Sequence, residues 1–370
     1  MPTLYGRRWT RAELLAAVGD MAQVAGIRET RLVGGRAEGV RALDFNCGDG
    51  FRFTVLADRC MDIPFAEYGG APLAWVSRTG VAAPQYYEPD GEGWLRTFFG
   101  GLLTTCGLRQ VGAACVDEGE ALGMHGRIGT TPAEEVAVET RWEGDEYLLR
   151  ARGTMREARV YGEDLWLNRE ISAWAGGRSL LVRDRVENRG ASASPLMILY
   201  HVNAGFPLLG PETRLLLASR DVQPKDERSA ESIADHARFG PPTPGWREVN
   251  WWHDAQADGD GYCVAALVNE ELSFPFGKGL GLALRWRREQ LNTLVQWKQL
   301  GHGDYTVAIE PGNCHTLGRA WERANGTLQY IEPGETREFE VEITALAGAE
   351  EIYAFEERLP PITPARPAGS

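Results

Sequence analysis

The feature that most constrains this chain is a two-residue hydrophobic alternation that returns along most of its length. Phe51, Phe53 and Val55 are separated by Arg52 and Thr54, Leu180 and Val182 face away from Arg183 and Arg185, and Phe339, Val341 and Ile343 alternate with Glu338, Glu340 and Glu342. Successive side chains of a strand point to opposite faces, so each run has one apolar and one polar face and reads as a half-buried strand. Pro195 to Val202 and Tyr262 to Val268 are almost continuously apolar, as strands covered on both faces are. Turn sequences such as Glu187-Asn188-Arg189-Gly190 and Glu332-Pro333-Gly334-Glu335 punctuate the runs. The pattern predicts an all-β protein, a large antiparallel sandwich. Its helical exception is Thr10-Arg11-Ala12-Glu13, a capping box that predicts a short helix within residues 10–18.

No fixed-period repeat or Gly/Ser linker divides the 370 residues, which are read as one domain over 1–370. Two stretches break the alternation. Gly205 to Asp260 holds Pro207, Pro211, Pro224, Pro241, Pro242 and Pro244 and reads as a long excursion of functional interest; Leu359 to Ser370 reads as a Pro-rich surface tail. The net charge of −13 disfavours nucleic acid and anionic membrane as partners. No segment is long and apolar enough to span a bilayer, and the Arg-rich N-terminus lacks the apolar core of a signal peptide. The cysteines at 47, 60, 106, 115, 263 and 314 show no Cys-x-x-Cys spacing, which disfavours a zinc ribbon and fits reduced thiols in a cytoplasm.

Three motifs carry possible chemistry. In Tyr305-Thr306-Val307-Ala308-Ile309-Glu310-Pro311, the bulky Tyr305, Val307 and Ile309 share one face and Glu310 takes the other, beside small residues that leave room for a ligand. Pro311 then tends to end the strand. Burial there would raise the carboxyl's proton affinity toward that of a general base at neutral pH. His125, between Gly123 and Gly126, sits where the backbone can turn tightly and a ligand can approach. His201 follows an apolar strand on the side of Met197, Leu199 and Asn203, where an imidazole must be hydrogen-bonded or line a cavity. Taken singly, each is more readily a solvated glutamate, a turn histidine or a core histidine.

Taken in order, with Asp58-Arg59-Cys60-Met61-Asp62-Ile63 and the stretch from Phe99 to Leu108, they resemble the aldose 1-epimerase (galactose mutarotase-like) superfamily, and especially its DUF4432 branch. The resemblance implies a β-supersandwich and a cofactor-independent, metal-free sugar isomerase. It implies that Glu310 is the base at the anomeric hydroxyl, His201 the acid at the ring oxygen and His125 a second donor. The hydroxyl-gripping Asp of mutarotases has no evident counterpart, with Glu248, His253 and Asp254 as candidates in the excursion.

Among possible substrate contacts, Arg59 and Arg127 adjoin the motifs and could grip an anionic sugar; Arg78 and Arg109 are further candidates. Asn203, His253 and Lys298 complete the expected set, and Trp75, Trp94, Trp251, Trp252 and Trp297 could stack on a pyranose. Two other readings stay open: a metal-dependent sugar epimerase using His125, His201, His253 and Glu310 as ligands, and a non-catalytic carbohydrate-binding module. The sequence leaves oligomeric state unfixed, a homodimer being among the states it allows.

Overall fold

The computed structural model of the protein describes residues 1–362. The expected helix is Arg11–Ala17, one of four short α-helices among the described residues, and its capping box forms in full: Glu13 N–H donates to the Thr10 hydroxyl and Thr10 N–H to the Glu13 carboxylate. The remainder is dominated by three antiparallel sheets that share one apolar core, a β-supersandwich. An eight-stranded sheet runs, in spatial order, through Glu134–Glu143, Glu146–Ala158, Asp164–Trp174, Ser179–Asn188, Thr336–Ala347, Gly277–Arg287, Tyr262–Phe274 and Arg214–Leu217. A six-stranded sheet runs through Ser219–Pro224, Val249–Ala255, Thr293–Gly301, Asp304–Gly312, Met197–Gly205 and Thr104–Leu108. Five strands between Gly26 and Pro72 form the third.

The alternation read from sequence sets what each sheet buries. Leu180, Val182, Val341 and Ile343 point inward from the eight-stranded sheet, Ile198, Tyr200, Val307 and Ile309 from the six-stranded sheet, and Phe45, Phe51 and Phe53 from the third. Arg183 and Arg185 remain outside and exposed. Removing this apolar surface from water is the main driving force for assembling the layers.

A fully buried ionic group ties the layers together. Arg169 makes two hydrogen bonds to Asp184, at 2.8 and 2.6 Å, and one to Asp62 at 3.0 Å. Tyr200 donates to Asp184 at 2.7 Å, while the Thr105 hydroxyl and N–H donate to Asp62 at 2.6 and 2.9 Å. These residues come from all three sheets. Burying charges is tolerable only when their hydrogen-bonding capacity is filled, as here.

The segment Gly205 to Asp260 departs from the irregular excursion expected of it. It supplies the edge strand Arg214–Leu217, two strands of the six-stranded sheet and the short helix Glu227–Glu231. The prolines mark the ends of elements: Pro224 is the last residue of its strand, and Pro241, Pro242 and Pro244 lie in the connection that follows the helix. Alternation is hidden in Asn250-Trp251-Trp252-His253 because both faces of that strand are covered. At the C-terminus, Leu359 packs on an apolar cluster with Ile352 and Leu346; the rest of the expected tail, from 363 on, lies outside the described residues.

Candidate active site

Glu310 and His201 meet because of strand register. Val202 pairs with Ile309 in the antiparallel ladder, so the outward-facing residues beside them, His201 and Glu310, are cross-strand neighbours. His201 Nε2 lies 3.3 Å from Glu310 Oε1, and the side chains are 6% and 2% exposed. Small Ala308 and the outward Leu199 leave space beside them on this face, opposite the main core.

His125 arrives from a loop. It adopts a left-handed backbone with φ of +56°, unusual for a side-chain-bearing residue and often a mark of functional sites. Backbone bonds fix it there: its N–H donates to Gly112 O at 2.9 Å, and its carbonyl accepts from Gly107 N at 3.1 Å. Gly126 must be glycine, since a Cβ would stand 2.4 Å from Gly107 O. The ring lies 4.5 Å from that of Trp94 and 5.9 Å from that of His201. Gly112 N–H reaches His125 Nδ1 at 3.4 Å, which leaves Nε2 to carry the ring proton in the neutral form.

Together these groups line a cavity of about 260 Å³ with Trp94, Phe98 and Trp297 as aromatic walls and Lys225, Glu248 and Asn250 also in its lining. Burial governs its electrostatics. It pushes Glu310's proton affinity well above the usual carboxylate range, a rise that the Lys225 charge opposes and Glu248 reinforces. It pulls His201 down to about 3 and holds His125 well below the ordinary imidazole value. The proton favoured between the pair therefore rests on Glu310. Glu310 Oε1 and His201 Nδ1 have no hydrogen-bond partner among the described residues. Buried polar atoms left open in this way are suited to a polar ligand.

Of the other residues anticipated from sequence, several lie elsewhere. Arg59 is buried but spends its guanidinium on the carbonyls of Gly129, Ala82 and Thr97, so it stitches loops together and does not reach the cavity. Arg127 is exposed and outside the cavity lining, with its charge acting on buried Glu157. Asn203 lies behind His201, donating to Gly101 O and His201 O, each at 2.9 Å. His253 and Lys298 occupy the opposite face of the six-stranded sheet: strand alternation places Trp297 toward the cavity and Lys298 away from it. There, Lys298 donates to Asp235 O at 2.8 Å and Arg238 O at 3.1 Å, while His253 Nε2 is 3.0 Å from Gln296 Oε1.

The proposed ligand set His125, His201, His253 and Glu310 consequently does not converge. Among the described residues, no three His, Cys, Asp or Glu side chains are arranged to hold one metal ion, and His253 lies on the far face of the sheet from the other three. Trp251 shares the far face, where Lys298 lies 5.1 Å from its ring, and Trp252 packs against His315 and Trp321. Asp254 is engaged by Arg220 and Arg288, Arg78 by Asp304, and Arg109 by Glu120. Of the hydroxyl-gripping candidates, Glu248 alone lines the cavity. No sequence motif surrounds Lys225 or Asn250, and the one local signal is the proline that precedes Lys225.

A wider cavity of about 550 Å³ opens against the five-stranded sheet beside Phe53 and Phe65. Its Asp44 carboxylate is already occupied by the Thr30 and Thr54 hydroxyls, and it gathers no histidine or cysteine. Glu310, His201 and His125 gather in the smaller cavity.

The family model described as a domain of unknown function (DUF4432) matches residues 37–345. The chain belongs to the DUF4432 family. Among solved structures, this DUF4432 chain is similar to a "putative aldose 1-epimerase" from Klebsiella pneumoniae subsp. pneumoniae MGH 78578, at 26% identity and a TM-score of 0.84, over 90% of this chain and 86% of that one. A galactose mutarotase-like protein from Clostridium acetobutylicum shares the fold at 13% identity and a TM-score of 0.60, over 87% and 99% of the two chains. Galactose 1-epimerase from Lactobacillus acidophilus NCFM shares it at 11% and 0.56, over 88% and 99%. No curated protein matches the DUF4432 chain in sequence. No helix among the described residues is long and apolar enough to cross a membrane.

Proposed function

We propose that this protein is a sugar epimerase of the aldose 1-epimerase type, with Glu310 and His201 as its proton-transfer pair and His125 as a second donor. The observation that carries the reading is the 3.3 Å approach of Glu310 Oε1 to His201 Nε2 inside a small aromatic-walled cavity. The Klebsiella structure supports it at the level of fold and family resemblance. A pair at this distance can address two oxygens on one carbon, which the anomeric hydroxyl and ring oxygen are.

The chemistry needs one proton between the pair. With Glu310 ionised and His201 protonated, Glu310 takes the proton of the anomeric hydroxyl and His201 gives one to the ring oxygen. The C1–O5 bond breaks with its electrons going to O5, while O1 forms the carbonyl. Rotation about C1–C2 and reclosure, with both protons returned, gives the other anomer. After opening, the proton sits on Glu310 and His201 is neutral, which is also the distribution burial favours in the empty cavity. The pocket thereby favours the protonation state of the open-chain complex. Charge development on the pair is sustained only while sugar hydroxyls replace water.

The test is α/β exchange of freshly dissolved sugars, followed by exchange-sensitive NMR over neutral and acidic members. Exchange should be accelerated without change in the equilibrium ratio. If no sugar exchanges faster than in buffer, yet one is converted at C2, C3 or C4, the anomeric mechanism is wrong and a different epimerisation replaces it.

A further inference from the structure

Lysine is rare in this chain: Lys225, Lys278 and Lys298 are its only examples, the other basic residues being arginine. Lys278 pairs with Glu271, and Lys298 is spent on two backbone carbonyls. Lys225 differs from both. It is half-buried, lines the cavity that contains Glu310, and has no carboxylate within ion-pair reach and no hydrogen-bond acceptor among the described residues. A partly desolvated ammonium without a partner is unfavourable until an acceptor or anion reaches it.

The position is built rather than incidental. Lys225 N–H donates to Asn250 O at 3.0 Å, and Asn250 N–H donates to the Ser229 hydroxyl at 3.0 Å. Ser229 in turn is held by Asp226, which caps the helix Glu227–Glu231 directly after Lys225. Asn250 lines the cavity, is 5% exposed, and makes no side-chain hydrogen bond among the described residues. Two carboxylates also border the cavity. Glu248 accepts the Trp297 indole N–H at 2.7 Å, and both it and Glu92 are exposed, where water and salt weaken their fields. The cavity's 260 Å³ is below the roughly 300–1,000 Å³ of sites for drug-sized ligands, so it suits a single sugar ring.

We infer that Lys225, with Asn250 beside it, receives an anionic substituent, so that the substrate is a monosaccharide bearing a carboxylate or phosphate. This rests on reading the cavity as a sugar site. A charge-assisted hydrogen bond to the anion should favour the acidic sugar over its neutral parent by on the order of 10- to 100-fold in affinity.

Calorimetric binding of D-glucose, D-galactose, D-glucuronate, D-galacturonate and the two hexose 6-phosphates to the full chain, with anomer exchange measured on the same panel, tests it. At least one acidic sugar should bind tighter than its parent by that factor, and the carboxylate and phosphate arms identify the anion. Lys225→Met should collapse the ratio toward one and Lys225→Arg should restore most of it, with thermal melting confirming that both variants fold. Neutral sugars bound as tightly as acidic ones, binding by no acidic sugar, or an equal loss for both classes in Lys225→Met would each overturn the inference. Lys225-dependent acidic binding without accelerated exchange would instead leave it standing and remove the mutarotase reading. Accelerated exchange of neutral sugars alone would do the reverse.

Discussion

Replacing Glu310 by Gln separates catalysis from stability, because the structure predicts opposite signs for the two. The amide has nearly the same shape but cannot accept and return the anomeric proton, so turnover should fall by about 10²- to 10⁴-fold, the usual contribution of a positioned acid–base group. Stability should hold or rise. Glu310 is 2% exposed and its proton affinity is raised by burial. Its folded pKa therefore lies above its unfolded one, so the folded state binds more protons and wild-type stability falls as pH rises from the unfolded pKa toward the folded one. Each tenfold rise in proton affinity corresponds to about 1.4 kcal/mol. A neutral amide removes that dependence, so Glu310→Gln should show a flatter stability–pH curve and, at neutral pH, a melting temperature no lower than wild type. Anomer-exchange rates and thermal melts between pH 5 and 8 provide both readouts. Near-normal turnover would refute the base assignment, and a loss of several kcal/mol would refute the picture of a carboxyl held neutral by burial.

The remaining expectations follow from the same geometry. The rate–pH profile should stay flat down to well below the ordinary imidazole range: activity requires one proton on the pair, a second is added only near His201's value of about 3, and the one proton is lost only above Glu310's raised value. An acid limb near pH 6.5, that of an unperturbed imidazole, would contradict this. Arg169→Met strands Asp184 and Asp62 in the core and should cost about 3–5 kcal/mol in denaturant unfolding; a cost below about 1 kcal/mol would show that the ionic group contributes little. Lys298→Met should leave kcat and KM within a few-fold of wild type, because its ammonium faces the Asp235 and Arg238 carbonyls; a large specific loss in kcat would show that it reaches the reacting sugar.

How far sequence could carry this reading depended on how locally each property was encoded. Alternation in Phe339, Val341 and Ile343 specified strand and inward face together, since both follow from the two-residue period. The same logic separated Glu310 from Tyr305, Val307 and Ile309, whereas in the continuously apolar strand of His201 it gave only the residues sharing its side. The meeting of Glu310 and His201 required ladder register, which a single strand does not contain. Motif proximity says nothing about where a long side chain ends, and the Arg59 guanidinium satisfies carbonyls from three separate segments. Lys298 departs from its expected place for a narrower reason. Alternation correctly separated it from Trp297, but only the packed connection carrying Asp235 and Arg238 reveals which of those faces is the cavity. Lys225 was invisible by the same rule, since its place depends on the Ser219–Pro224 strand pairing with Val249–Ala255 across a sequence that lacks a two-residue period. The proposed base Glu310 thus lies on a strand whose faces could be read directly, whereas the proposed selectivity group Lys225 lies on a segment placed only by tertiary pairing. On the proposed reading, substrate choice can change through that segment while the Glu310–His201 geometry is preserved.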